Sequence, residues 1–246
     1  MPSFVKTATL IAIAAASISQ AALANNFVLS SGNAQVAFST NALQSFQSAG
    51  IGVSALSPAT YAAPVISFSA SDSGIGYGSS SQVSSLTANG GLSLASSTVN
   101  GARIDITNIK VDTATGIVSG DGVSQSWNNA TLGNYTGTSF KNLQLFTSTL
   151  SGNADISKGN GSISLNLADL HFSNAAIPVL GNALGVPAFL QNLIFPSLNV
   201  GSATVTASFS AVTLPPTPSV PEPGTWLLMA LGLVGLLTGS RRARLA

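Results

Sequence analysis

Cysteine is absent from this chain of 246 residues, and charge is nearly so, with Lys, Arg, Asp and Glu together making up 6% of it. Without thiols there is no disulfide framework, no thiolate metal site and no cysteine nucleophile. The single histidine, His171, has one acid near it in sequence, Asp169, which is too small a donor set for a structural zinc site. Between Asn25 and Val220 the basic residues stand only at 103, 110, 141 and 158 and the acids at 72, 105, 112, 121, 155 and 169, four against six, a net charge of −2. With no basic patch to displace counterions from phosphates, nucleic acid is excluded as a partner. The surface must instead be wetted by Ser, Thr, Asn, Gln and Gly, and so little charge offers weak protection against association. Self-association or adhesion follows as an expectation.

What the chain does have begins at its ends. Lys6 precedes an apolar run from Ala8 to Ala16, and Ala22-Leu23-Ala24 stands ahead of Asn25. Signal peptidase accepts only small side chains at two positions before its cut, so Ala22, Ala24 and Asn25 mark a cleavage site and residues 1–24 a signal peptide. At the other end, Pro221-Glu222-Pro223 is followed by an apolar run from Trp226 to Gly239 and then by Arg241, Arg242 and Arg244. Residues 224–240, as a helix, reach roughly 25 Å, near the lower limit for crossing a bilayer. The three arginines favour the cytoplasmic side and Trp226 the opposite interface, which places the body outside the cytoplasm.

This three-part end resembles the PEP-CTERM sorting signal, in which a Pro-Glu-Pro motif, a short membrane helix and a basic tail are read by an exosortase. The resemblance covers about the last 26 residues. It implies that Pro221, Glu222 and Pro223 are the recognition motif, and that the helix is a temporary hold removed later. The expected partners are signal peptidase, exosortase and the membrane, crossed once before processing. The expected path runs through the inner membrane to the cell surface or beyond. The expected division is a signal peptide (1–24), an extracytoplasmic domain (25–213), a Pro-rich linker (214–220) and a sorting segment (221–246), of which 241–246 form the basic tail.

Within the body, apolar residues are periodic, which argues for a core despite the abundance of Gly, Ser and Thr. Ile104-Asp105-Ile106 alternates, slips phase at Thr107-Asn108 and resumes at Ile109-Lys110-Val111. Leu165 to Phe172 repeats the pattern, with the slip at Ala168-Asp169. A slip turns side chains to the wrong face unless a bulge absorbs it, so both stretches predict bulged strands in equivalent roles or a decayed repeat. Asp112-Thr113-Ala114-Thr115-Gly116 reads as a hairpin loop with Gly116 at positive φ; a calcium loop would need several alternating carboxylates. Asn41 to Ala49, with Thr40 as cap and Gly50 as stop, and Ala175 to Leu184, before Gly185, read as helices. Val186, Phe189, Leu190, Leu193, Ile194 and Phe195 form the most apolar part of the body and predict a helical lid over a sheet, or else an exposed binding surface. The predicted architecture is mainly β: an antiparallel β-sandwich or strongly twisted sheet with short edge helices, flanked by the signal helix and the membrane helix. A β-helix is the alternative.

The order "NALQSFQSAGIGVSALSPA", "NGGLSL", "IDITNIKVDTATGIVSGDG" and "NALGVPAFLQNLIFPSLNVGSATVTASF" resembles the HtaA-type domain of bacterial surface proteins, some of which bind haem. Ala88 stands where a histidine is expected before Gly90-Gly91. The resemblance thus implies the scaffold and not the haem site, and no cofactor or metal is expected.

Catalytic sets are sparse. His171 and Asp169 read as a solvent-facing polar pair more readily than as a base with its orienting acid. A glycosidase would need two facing carboxylates among Asp72, Asp105, Asp112, Asp121, Asp155 and Asp169. Trp127, Tyr61, Tyr77 and Tyr135 are candidate sugar platforms whose commoner use is to fill or edge a core. Asn129, Asn134 and Asn160 each begin an Asn-x-Ser/Thr sequence that reads as polar loop, and Gly74, Gly76 and Gly78 lack the lysine and helix of a nucleotide loop. The expectation is therefore a non-enzymatic surface or matrix protein with a structural, adhesive or exopolysaccharide-associated role. A small-ligand module, haem included, and a surface glycan hydrolase are the alternatives.

Overall fold

The computed structural model describes residues 27–77 and 81–211. The expected signal peptide and sorting segment, with Ala22, Ala24, Asn25, Pro221, Glu222, Pro223, Trp226, Arg241, Arg242 and Arg244, lie outside the described residues. Among the described residues no helix is long and apolar enough to cross a membrane.

Along the chain come β1 (Phe27–Phe38), α1 (Thr40–Ser48), β2 (Ile51–Leu56), β3 (Thr60–Ala62), β4 (Val65–Tyr77), β5 (Val83–Asn89), β6 (Gly91–Ser96), β7 (Arg103–Asp112) and β8 (Val118–Ser124). They are followed by β9 (Trp127–Asn129), β10 (Gly133–Tyr135), β11 (Ser139–Asn153), β12 (Ser162–Phe172), α2 (Ala176–Ala183), α3 (Ala188–Ile194), a 3₁₀ turn (Phe195–Ser197) and β13 (Asn199–Ala211). The expected mainly β, antiparallel fold with short helices is what forms. Every named strand pairing is antiparallel, which rules out the β-helix.

The strand order runs β7-β5-β4-β1-β13-β12-β11-β8, and β8 pairs back onto β7. The sheet therefore closes on itself, which removes most of its edges. β2 extends the sheet from β6, and β3 from the start of β4. Inward residues of these strands form one apolar cluster that runs from Phe38 to Phe209. A cavity of about 50 Å³ lies inside, lined by Phe68, Val111, Phe146, Leu170 and other apolar side chains.

Both predicted slips are bulges. On β7, Ile104 and Ile106 are buried, the register with β8 shifts between Thr107 and Lys110, and Ile109 and Val111 are buried beyond it. On β12, Leu165 and Leu167 precede a shift between Leu167 and Leu170, after which Leu170 and Phe172 face the core. Asn108 (φ 49°) and Asp169 (φ 54°) take the left-handed conformation at the two slips, a region that Asn and Asp tolerate better than other side chains. Asn108 Nδ2 donates to Asp121 Oδ2 at 3.0 Å, and Asn199 Nδ2 donates to Asp169 Oδ1 at 2.9 Å. Asn108→Val should cost about 1–3 kcal/mol because a β-branched residue is strained at positive φ, whereas Asn108→Gly should cost far less. Urea unfolding of the two variants checks this; equal losses would contradict it.

The Asp112 loop is the expected hairpin. Asp112 Oδ1 accepts from the amides of Ala114 and Thr115 at 2.9 Å each, and Gly116 has φ +72°. Those amides, Thr115 foremost, hold the Asp112 carboxyl below its usual value. Asp121 is lowered by Asn108 and the Asn142 amide, and Asp155 by Ser157. A carboxylate whose folded pKa is depressed adds stability that is fully present above the unfolded value, 3.8, and is lost as pH falls through the folded one. The thermal midpoint should thus hold level from neutrality down to about pH 4 and fall only below it. A decline already at pH 5–6 would contradict this.

The helices gather at one end of the barrel. α1 begins one residue earlier than expected: Ser39, not Thr40, is its cap, accepting from Ala42 N at 3.0 Å while its hydroxyl donates to Asn199 O. Phe46 on α1 meets Phe38 and Phe172, and Phe172 meets Phe146 and Phe195. This chain of rings fastens the helices over the barrel mouth. The opposite end holds both ends of the described body, because Phe27 on β1 pairs with Ala211 on β13.

Candidate functional site

Beyond Ser124 the chain leaves the barrel at its helical end and forms the two-stranded hairpin β9–β10, with Trp127 opposite Tyr135. Its turn is set by Asn129, whose Oδ1 accepts from the amides of Thr131 and Leu132. The two rings stack, with centroids 5.7 Å apart and planes 20° apart. Each ring is also anchored at its polar tip. Trp127 Nε1 donates to Ala183 O at 3.1 Å, at the end of α2, and the Tyr135 hydroxyl lies 2.8 Å from Oγ of the buried Ser124.

Opposite this wall, α2 ends in a left-handed glycine, Gly185 (φ +69°), and the chain turns through Val186 and Pro187 into α3. Gln191 holds the turn from beneath: its Nε2 donates to Val186 O at 2.6 Å and Asn182 Oδ1 at 3.1 Å. It packs so closely on Gly181 that a Cβ there would stand 2.3 Å from Gln191 Cδ. Between wall and turn lies an open cleft of about 360 Å³, lined by Trp127, Leu132, Asn134, Tyr135, Asn182 and the segment 185–188. No charged residue lines it.

A second groove, of about 460 Å³, runs between α1 and α3, lined by Asn41, Gln44, Ser45, Ser48, Ala49, Leu190 and Ile194. The lid reading of this apolar segment holds only in part. Phe195 is buried, but Phe189 and Leu193 are 70% and 71% exposed, while the polar Gln191 is 4% exposed. α3 turns its amide inward because Asn182 and Val186 satisfy it, a choice that hydropathy does not reveal.

The other candidates are dispersed. Tyr61 packs edge-on against Phe38, and Ala88 lines the interior cavity. Asp105 pairs with Arg103 at 2.8 Å, Asp155 accepts from Ser157, and Asp112, Asp121 and Asp169 serve the turn and bulges described above. His171 pairs in the ladder with Thr147 and Asn199, and Asp169 takes its hydrogen bond from Asn199, with none between Asp169 and His171. Among the described residues no group of three or more His, Asp or Glu is placed to hold a metal. Asp72 and Tyr77 fall within β4. Sequence named Trp127 and Tyr135 among four aromatics whose commoner use is to fill or edge a core; it did not show that residues 182–188 face them.

The chain matches the PEP-CTERM protein-sorting motif over residues 219–242. No curated protein matches it in sequence. In structure it is similar to the N-terminal domain of HtaA from Corynebacterium glutamicum, at 15% identity and a TM-score of 0.58 over 75% of this chain and 99% of that one. It is also similar to the heme binding protein HtaB from the same organism, at 12% identity and a TM-score of 0.48 over 76% and 97%. At such identities the likeness is one of fold. The sorting motif makes the chain an exported protein, processed by an exosortase and bound through the membrane for the cell surface.

Proposed function

We propose that the sorted body is a non-catalytic surface or matrix protein that associates with exopolysaccharide. The observation that carries this reading is the cleft between the Trp127–Tyr135 stack and the α2–α3 turn, an aromatic wall with amide side chains and no acid or base in its lining. Stacked rings present apolar faces, amides offer donors and acceptors, and neither group provides the facing carboxylates of a glycosidase. Signal peptidase removes residues 1–24, and the arginine-tailed helix holds the body at the inner membrane until exosortase acts at Pro221-Glu222-Pro223. Retention of the purified body (residues 25–220, which contain the whole core) on polysaccharide from the producing cells tests the reading. The absence of both retention and self-assembly would overturn it.

The fold likeness raises haem as a second ligand. The groove between α1 and α3 is large enough for a small molecule, but its lining supplies no imidazole, phenolate, thiolate or thioether to ligate iron. The residues that line this groove do not fit the group. Titration with hemin should leave the Soret band at its free-hemin position.

A further inference from the structure

We infer that the Trp127–Tyr135 cleft is a binding site for a neutral glycan, whose pyranose ring lies against the aromatic wall with its hydroxyls toward Asn134 and Asn182. This rests on the polysaccharide-associated reading above and adds the site and the class of sugar. The C–H bonds on a pyranose face carry slight positive charge and the faces of aromatic rings slight negative charge, so the two attract, and the contact also removes apolar surface from water. Trp127 contributes ring surface alone, because its N–H is spent on Ala183 O. Anchoring of both rings at their polar tips means that the wall stands ready before ligand arrives, which lowers the ordering cost of binding.

The amides across the cleft supply direction. Asn182 Oδ1 already accepts from Gln191, which leaves its Nδ2 to donate to a sugar hydroxyl. Asn134 is exposed and its side chain forms no hydrogen bond among the described residues, so both ends of its amide are open to a ligand. Neutrality follows from the lining. Of the described cations, Arg103 is engaged by Asp105, and neither it nor Lys110, Lys141 or Lys158 lines the cleft. A uronate or sulfated sugar would bring a charge into the cleft with no counter-charge to meet it. A volume of about 360 Å³, open on one side, suits a short stretch of a longer chain that continues into solvent.

Trp127 is the only tryptophan in residues 25–220, so its fluorescence reports the cleft directly. The experiment titrates this body with neutral hexasaccharides, cellohexaose, laminarihexaose and isomaltohexaose, and with an alginate hexamer. It then repeats the titration by calorimetry on Asn134→Ala and Trp127→Ala, and measures retention of all three proteins on the producer's polysaccharide. The expected result is a saturable fluorescence change with at least one neutral oligosaccharide and none with alginate. Asn134→Ala, which breaks no side-chain hydrogen bond among the described residues, should weaken binding threefold or more with an unchanged unfolding midpoint, and Trp127→Ala should abolish it. Preference for alginate, or retention on the polysaccharide unaltered by either substitution, overturns the assignment of the cleft while the matrix reading stands. Absence of retention for the unsubstituted body, without self-assembly, overturns both.

Discussion

Deleting residues 219–246 should leave the body in the periplasm, with almost none reaching the cell surface, while the intact chain is delivered. Residues 1–24, the proposed signal peptide, are untouched by the deletion, so export across the inner membrane should continue; what is lost is the motif matched at 219–242 and, with it, the proposed membrane hold and cationic stop. A single arginine is costly to move through hydrocarbon, and three of them in the last six residues oppose passage of the tail for as long as it remains attached. Fractionation with antibody against the body measures the outcome. Mass spectrometry of the surface form adds an independent check, since it should find no peptide containing Arg241 to Ala246. Surface delivery of the truncated protein, or recovery of that terminal peptide, would make the segment an ordinary permanent anchor.

Gly201→Ala should cost the barrel a large share of its stability. Gly201 lies where β13 is flanked by β1 and β12, paired with Phe38 on one side and Leu170 on the other. Its φ of +143° is a conformation that L side chains rarely adopt, and an added Cβ would stand 2.0 Å from Ala37 O and 3.0 Å from Phe38 Cα. Both obstacles are backbone, so relief requires parting the seam between β1 and β13 where the helical end is attached through Ser39. Strain of this kind costs about 3 kcal/mol or more, which for a domain of this size is a fall of roughly 6–12 °C in the thermal midpoint. Gly133→Ala is the matched comparison: its φ is +88°, but nothing lies within 4 Å of the added carbon. It should lose only the backbone part, about 1 kcal/mol. Equal losses in the two variants would mean that the close approach at Gly201 carries no weight.

The seam explains why such a plain sequence folds to a single register. With 6% charged residues, ion pairs cannot select the pairing, and the two present among the described residues, Arg103–Asp105 and Lys158–Asp155, are local. Register comes instead from burial and from irregularities. Bulges at Asn108 and Asp169 return the alternation to the core, and a one-residue slip elsewhere would turn every inward Ile, Leu or Val to solvent. Those bulges were legible because a phase slip is a local pattern, visible in eight consecutive residues. The hairpin at Asp112 to Gly116 and the two helices ending before Gly50 and Gly185 were legible for the same reason: the residues that make a turn or a cap are its neighbours in sequence.

Gln191 shows where that legibility stops. Hydropathy places Phe189 and Leu193 inside and Gln191 outside, and the structure does the reverse, because the cost of burying an amide depends on whether Asn182 and Val186 are there to bond it. That is a property of the packed turn and not of the helix.

By itself the sequence determined the sorting motif near its C-terminal end, the mainly antiparallel β class and the bulged strands. Each of these is written in composition or in runs of adjacent residues. Tertiary structure alone decided that the sheet closes through β7 and β8, that Phe27 and Ala211 meet at one end of the barrel, and that Trp127 and Tyr135 face Asn182 across a cleft at the other. Closure and the cleft join residues far apart in the chain, and what selects them is the burial gained when distant strands meet, a quantity that no local pattern contains.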